Sequence, residues 1–129
     1  MGGRSSAQAE HAGQNLVELA LLLPLLVAVL GLILDMGRGV QAYIVAHHAA
    51  REAVRYAAIR PTDVNGIRTA ATNELQRGGL QPANATVSAS GSGIGNPVRV
   101  TVSYRLPLVF GLLGSSQLTI RATAEAVIF

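Results

Sequence analysis

The hydrophobic pattern divides the chain into an apolar N-terminal block, a helical middle and an alternating C-terminal third. Leu16 to Leu34 are nineteen consecutive positions of apolar character that only Glu18 interrupts. At about 1.5 Å per residue, such a run spans roughly 28 Å, which is close to the thickness of a bilayer core. The pattern therefore predicts a membrane-spanning helix over residues 14–36.

The helical pattern continues beyond the apolar block until Pro61 ends it. Alanines and valines keep a helical spacing through this part, at positions 42, 45, 46, 49, 50, 53, 54, 57 and 58. The two parts predict one helix from about residue 15 to 60, roughly 70 Å long. Pro24 is expected to kink it inside the membrane, where neighbouring helices satisfy the freed carbonyl group. Residues 37–60 would then form a neck outside the membrane.

A second, shorter helix is expected at about residues 63–77. Thr62 or Asp63 would cap its start, and the glycines after Arg77 would stop it. Four apolar side chains share one face of this helix, at Val64, Ile67, Ala71 and Leu75.

The C-terminal third changes to the two-residue period of half-buried strands. "PVRVTVSYRL" and "LTIRATAEAV" alternate strictly, and the weaker "NATVSAS" precedes a glycine-rich hairpin loop, "GSGIGNP". Three such strands predict an antiparallel meander over about residues 84–128 whose apolar face needs a cover. The alanine-rich face of the neck helix is the expected cover. The fold class is α+β, with residues 61–129 forming a small globular domain.

Charge and cysteine content exclude several functional classes. The chain of 129 residues has no cysteine, so disulfides and thiolate metal sites are excluded. Its ten basic residues are all arginines and are scattered rather than clustered, and aromatic residues make up only 4%. Nucleic acid is therefore not an expected partner. A net charge of +3 is mild support for an anionic neighbour such as lipid headgroups, and ordinary surface arginines explain it equally.

Candidate catalytic or metal-ligating side chains are few, namely His11, His47, His48, Asp35 and Glu52. Adjacent residues on a helix point about 100° apart, so His47 and His48 cannot share a ligand. The sequence holds no metal-ligand spacing, nucleophile motif or phosphate loop. We therefore expect no enzyme activity, no metal and no cofactor.

Three surfaces are candidates for contact with a partner or the membrane. Asp35 ends the apolar block and is expected to mark the outer membrane boundary. Arg51 and Arg55 stand one turn apart on the neck and would meet headgroups, a partner subunit or only solvent. The apolar turn at residues 106–114 exposes five large side chains unless something covers them. They are Leu108, Val109, Phe110, Leu112 and Leu113, and either membrane or partner contact or packing under the sheet would account for them.

Glu18 needs an explanation because an ionisable group in the hydrocarbon costs several kcal/mol. Asn15 and Glu18 match a capping box, in which Asn15 caps the helix and Glu18 returns a hydrogen bond. Residues 1–13 are small and polar and lack periodicity, so they are expected to form a leader without regular structure. In such a capping box, the hydrogen bond to the helix start would stabilise the Glu18 carboxylate before it pairs with another molecule.

The stretch "GQNLVE" before an apolar helix resembles the prepilin processing site of type IV pilins. In that family a membrane peptidase cuts after the glycine, here between Gly13 and Gln14, and the fifth mature residue is a glutamate, here Glu18. The wider pattern "GQNLVELALLLPLL…LDMGR…AAREAVRYAA" is similar to TadE-like pseudopilins of tight-adherence (Flp) pilus systems. It includes Pro24 and the Asp35 that precedes the Gly-Arg pair.

The resemblance implies a minor pilin or pseudopilin, anchored once in the bacterial inner membrane with its leader cytoplasmic and its sheet outside. Its implied partners are a prepilin peptidase, other pilins, the pilus assembly platform and the lipid bilayer. Glu18 would pair with the amino terminus of a neighbouring subunit. Arginines lie on both sides of the apolar block, so the positive-inside rule does not favour this orientation. A filament-forming pilin and a membrane-anchored binding or adhesion domain unrelated to pili stay open as alternatives.

Overall fold

A single long helix, α1, runs from Arg4 to Ile59 and organises the whole structure. The computed structural model describes residues 4–91, 95–111 and 114–128, and of residues 4–9 only the backbone. The helix passes through Pro24 without ending and stops before Pro61, whose ring cannot continue it. The predicted long helix is thereby confirmed, and the predicted kink at Pro24 stays a prediction.

The start of α1 corrects two expectations. Residues expected to form an irregular leader are helical from Arg4, so Asn15 and Glu18 lie well inside the helix. An interior residue finds its backbone partner one turn away, and the proposed Asn15–Glu18 capping box is therefore wrong. The leader is rich in alanine, with glutamine and glutamate among its other residues. These are strong helix formers, so the helix extends backwards once the apolar part has formed.

The second helix, α2, spans Val64–Arg77 and begins at the predicted cap. The carboxylate of Asp63 accepts the backbone N–H of Gly66 at 2.9 Å, and the Tyr56 hydroxyl donates to its other oxygen at 2.8 Å. Ile67, Ala71 and Leu75 are buried as predicted, while Val64 is exposed because it belongs to the first turn, beyond the edge of the core. A short 3-10 turn, Pro82–Asn84, leads into the sheet.

The sheet is the predicted antiparallel meander of β1 (Ala85–Ser90), β2 (Pro97–Pro107) and β3 (Gln117–Val127), in the order β1-β2-β3. Strand β2 lies in the middle, and its five alternating apolar residues are all buried. They are Val98, Val100, Val102, Tyr104 and Leu106. The opposite face is polar, with an Arg99–Glu125 ion pair and a Thr101–Thr123 hydroxyl contact of 3.1 Å across β2 and β3.

The neck part of α1 carries the sheet on one side and α2 beside it. Its buried stripe consists of alanine and one valine, at Ala42, Ala46, Ala49, Ala50, Ala53, Val54 and Ala57. Small side chains let the backbone of the helix approach both the sheet and α2 closely, so that the larger Ile67, Leu75 and strand valines fill the core. The sheet packs on the alanine-rich face of the neck, as the sequence predicted.

Candidate functional site

The N-terminal half of α1 projects from the domain as an apolar rod. Nearly every residue from 10 to 30 is exposed, including leucines and valines that are about half to three-quarters accessible. Within the described chain, Glu10–Ile59 is the one helical stretch that is long and apolar enough to cross a membrane. An apolar surface of this extent requires lipid or other protein around it. The helix is thus compatible with a single-pass membrane anchor.

The residues of the predicted processing site lie on this rod near its N-terminal end. Gly13 and Gln14 are exposed, and a side chain at Gly13 would meet no other atom within 4 Å. Glu18 is exposed one turn further along, and it makes no hydrogen bond or ion pair within the described part of the chain. Its carboxylate is therefore available to a group from another molecule.

Asp35 has a structural role that its position in the sequence did not reveal. Its side chain is only 5% exposed, and its two carboxylate oxygens accept the backbone N–H groups of Val109 and Phe110 at 2.9 and 3.0 Å. Val109 and Phe110 belong to the β2–β3 loop, residues 108–116. Asp35 therefore holds this loop against the helix, at the place where the apolar segment ends.

Arg38 completes the attachment one turn further along the helix. Its guanidinium donates to the carbonyl oxygen of Pro107 at 3.0 Å, and the same nitrogen lies 3.7 Å from Asp35 Oδ1. The acid and the base thus bind backbone donors and a backbone acceptor of the same chain segment. This pairing of charges also offsets part of the penalty for burying Asp35.

Gly31 lets the tip of the hairpin lie directly on the helix, whereas Gly39 faces the hairpin at a distance that would also accommodate a Cβ. A Cβ added at Gly31 would lie 2.5 Å from Cγ of Phe110, so the phenyl ring covers the space that a side chain would occupy. A Cβ at Gly39 would be 3.5 Å from a methyl group of Leu118. Gly31, Asp35 and Gly39 recur every four residues and therefore form one stripe on the helix. The stripe extends the sheet-binding face of the neck into the apolar segment.

The described part of the apolar loop is attached to the helix through Asp35. Leu108 is half-buried and packs against the core, whereas Val109 is 67% and Phe110 42% exposed. Leu112 and Leu113 lie outside the described residues. The outward sides of Val109 and Phe110 remain apolar surface at the level of the apolar segment of α1.

The polar residues of the neck make few contacts with one another. Arg51 and Arg55 are both exposed, and Arg55 has only a loose contact of 4.0 Å with Glu52. The His47 ring packs edge-on against Tyr43 at 4.7 Å between ring centroids. In the described ranges, 4–91, 95–111 and 114–128, no cluster of three histidine or acidic side chains is close enough to hold a metal ion.

Sequence reasoning missed the role of Gly31 and treated Asp35 mainly as a boundary marker. Both contacts join positions that are far apart in the chain, so local patterns could not predict them. The available signal was the four-residue spacing from Gly31 through Asp35 to Gly39, which indicates a helix face adapted to close contact.

The comparisons with known proteins agree with the N-terminal resemblance. The family model described as TadE-like protein matches residues 13–55. The matched stretch begins at Gly13, includes Glu18 and Asp35, and ends in the neck, so α2 and the sheet lie outside it. No curated protein and no solved structure matches the chain. Residues 13–55, which include the apolar segment and most of the neck, are therefore similar to TadE-like proteins.

Proposed function

We propose that this chain is a minor pilin or pseudopilin that takes part in the assembly of a tight-adherence pilus. It would be inserted in the bacterial inner membrane through residues 14–36 and processed by a prepilin peptidase between Gly13 and Gln14. The observation that carries the proposal is the TadE-like match, which starts at Gly13 and continues through the apolar segment into the neck. The exposed apolar rod of α1 supports it, because a pilin helix exchanges lipid for neighbouring subunits.

The proposed orientation has the leader in the cytoplasm and the α+β domain outside. The contacts of α1 with the rest of the α+β domain begin near residue 31, whereas residues 10–30 contact almost nothing within the chain. This division separates a segment suited to the bilayer or a filament core from a compact head. The proposed partners are the peptidase, other pilins and the assembly platform, with the chain in a hetero- or homo-oligomer in the filament or its base. Neither catalysis nor a cofactor is part of the proposal.

Cleavage at Gly13 would require local opening of the helix. Glycine in a helix interior is about 0.5–1 kcal/mol less favourable than alanine, so Gly13 is a weak point of this turn. Because Gly13 also has open space around it, a peptidase would reach the backbone without displacing other side chains. The same bond is thus both accessible and easier to open than its neighbours.

Glu18 would act in docking after cleavage. The new amino group at Gln14 is positively charged and lies about one helical turn from Glu18 on the same chain. In an assembling pilus, Glu18 of an incoming subunit would pair with the amino terminus of its neighbour. A low dielectric strengthens this attraction and makes an unpaired carboxylate unfavourable. The charge of Glu18 would therefore favour transfer of the subunit from the membrane into the filament, in the one register that pairs it with a neighbouring amino terminus.

Deletion of the gene, followed by complementation, tests the proposal in a strain that assembles such pili. We expect the deletion strain to lack surface pili and the complemented strain to regain them. A minor subunit would be scarce in purified filaments, and a dominant band of this chain would favour the alternative of a filament-forming pilin. Normal piliation without the gene would contradict both and favour a membrane-anchored binding or adhesion domain.

A further inference from the structure

The β2–β3 loop reaches past the sheet to a level inside the apolar segment of α1. Phe110 rests on Gly31, which lies one turn before Asp35 and three residues before the last leucine of the apolar run, Leu34. One helical turn corresponds to about 5–6 Å along the axis. If residues 14–36 span the membrane, Phe110 is therefore deeper in the bilayer than the carboxylate that marks its boundary.

A loop can enter hydrocarbon only when its backbone polar groups are satisfied within the protein. In residues 108–110, which lead to the tip of this loop, every backbone N–H has such a partner. Leu108 donates its N–H to the carbonyl of Ser116 at 3.0 Å, and Val109 and Phe110 donate theirs to Asp35. The preceding Pro107 has no N–H, and its carbonyl accepts from Arg38. The donors that lead to the loop tip are thus occupied before any lipid is present.

The side chains at the same level are suited to lipid. Residues 107–111 carry no charge, and Val109 and Phe110 turn apolar surface outward. On the helix, Leu30, Ile33 and Leu34 are 53–59% exposed at this depth. The loop therefore continues the apolar surface of the membrane segment.

We propose that Val109 and Phe110 insert into the outer leaflet of the bilayer, and that Asp35 favours this insertion by accepting the backbone N–H groups of both residues. The inference rests on the proposed membrane insertion of residues 14–36. The chain would then contact the membrane at two places, the helix and the hairpin tip, which fixes the tilt of the head on the membrane. When the subunit leaves the membrane for a pilus, both the helix and the hairpin tip would have to leave the bilayer.

Single tryptophans test the depth of the loop, because the natural chain has none. Full-length Phe110→Trp is reconstituted in phosphatidylethanolamine–phosphatidylglycerol vesicles whose acyl chains are brominated. We expect blue-shifted emission that is largely lost to bromine quenching and unaffected by aqueous iodide. Leu22→Trp in the helix is the control for membrane insertion, and Ile59→Trp, at a position 77% exposed at the far end of the neck, is the control for the aqueous side.

The outcomes separate the loop from the anchor. Quenching of Leu22→Trp without quenching of Phe110→Trp would overturn the loop insertion and leave the membrane anchor intact. Absence of bromine quenching at both positions would overturn both. Protection of Phe110→Trp from bromine and iodide alike would mean that protein covers the loop, which also contradicts lipid contact.

Two single-cysteine variants provide a second test, in which the Phe110 ring on Gly31 is left unchanged. The chain has no natural cysteine, so Val109→Cys and Ile59→Cys each introduce a unique thiol. We expect a membrane-impermeant maleimide added outside to label Ile59→Cys and to leave Val109→Cys largely unlabelled in vesicles. Replacing Asp35 by alanine in the Val109→Cys protein should restore its labelling. Equal labelling of the two cysteines with Asp35 present would overturn the proposal.

Discussion

The phenyl ring of Phe110 occupies the space above Gly31 where any other residue would place its side chain. This contact ties the tip of the β2–β3 hairpin to the apolar part of the long helix. Because a Cβ at this position would lie 2.5 Å from Cγ of the ring, the ring must shift when a larger residue replaces Gly31.

Gly31→Ala should therefore destabilise the domain even though alanine is the better helix former. We expect overpacking to cost about 1–3 kcal/mol, measured as a lower melting temperature of the full-length protein in detergent. Gly37→Ala is the matched control, since a Cβ there meets nothing within 4 Å. That substitution should be neutral or stabilising by about 0.5–1 kcal/mol. Equal melting temperatures for the two variants would show that the contact with Phe110 does not hold the loop.

Asp35→Ala should lower the melting temperature by removing the acceptor for two backbone N–H groups at once. Asp35→Asn keeps one oxygen as an acceptor and should fall between the natural protein and the alanine variant. Glu52→Ala is a suitable control, because Glu52 has only a 4.0 Å contact with the exposed Arg55. If loss of Asp35 were as mild as loss of Glu52, the carboxylate would not be the attachment point of the loop.

Asp63 should make the stability of the head depend on pH. The backbone N–H of Gly66 and, next, the Tyr56 hydroxyl hold the pKa of Asp63 below its ordinary value. A lowered folded-state pKa adds stability above the unfolded-state pKa of about 3.9, and this contribution is lost as the pH falls through the folded-state pKa. Asparagine is an equally good cap without a charge, so Asp63→Asn removes the ionisation of the side chain and keeps the capping.

Melting temperatures of the natural protein and Asp63→Asn, measured across the acidic range, test this dependence. The natural protein should be the more stable at neutral pH, and the difference should shrink as the pH falls below about 4. Tyr56→Phe removes the hydroxyl donor and should raise the pKa of Asp63, so its loss of stability begins at higher pH. A difference that stays constant with pH would exclude the ionised carboxylate as the source.

Glu18→Ala should leave membrane insertion intact and abolish incorporation into pili. The carboxylate is exposed and has no partner within the described residues, so its removal does not disturb the fold. Leu22→Ala shortens an exposed side chain one turn away and serves as the control. The readout is the amount of each variant in the membrane fraction and in sheared filaments. Equal incorporation of the two would contradict a docking role for the charge.

The periodic parts of the fold could be predicted from the sequence. Alternation in β2 predicted which side chains are buried, and alanine spacing predicted the face of the neck that carries the sheet. Local cap chemistry restricted the cap of α2 to Thr62 or Asp63, and Asp63 is the cap, with its partner three residues away. These features depend on neighbours in the chain, which is the information that a sequence pattern contains.

The start of α1 and the attachment of the loop could not be predicted in the same way. Asn15 and Glu18 fit a capping box locally, yet the alanine-rich leader extends the helix to Arg4. Asp35 and Phe110 meet only because the hairpin is long enough to run down the helix, and strand length is a property of the whole sheet. Local patterns therefore predicted the elements, whereas tertiary packing determined the site at the end of the apolar segment.

The measurement that tests the proposed function most directly is the mass and N-terminal sequence of the protein from membranes of a cell with the prepilin peptidase. The account predicts a chain that begins at Gln14, with or without methylation of its new amino group. The same cell without the peptidase should contain only the form that retains residues 1–13. A chain that keeps its leader in both cells would contradict processing, and with it the assignment as a pilin or pseudopilin.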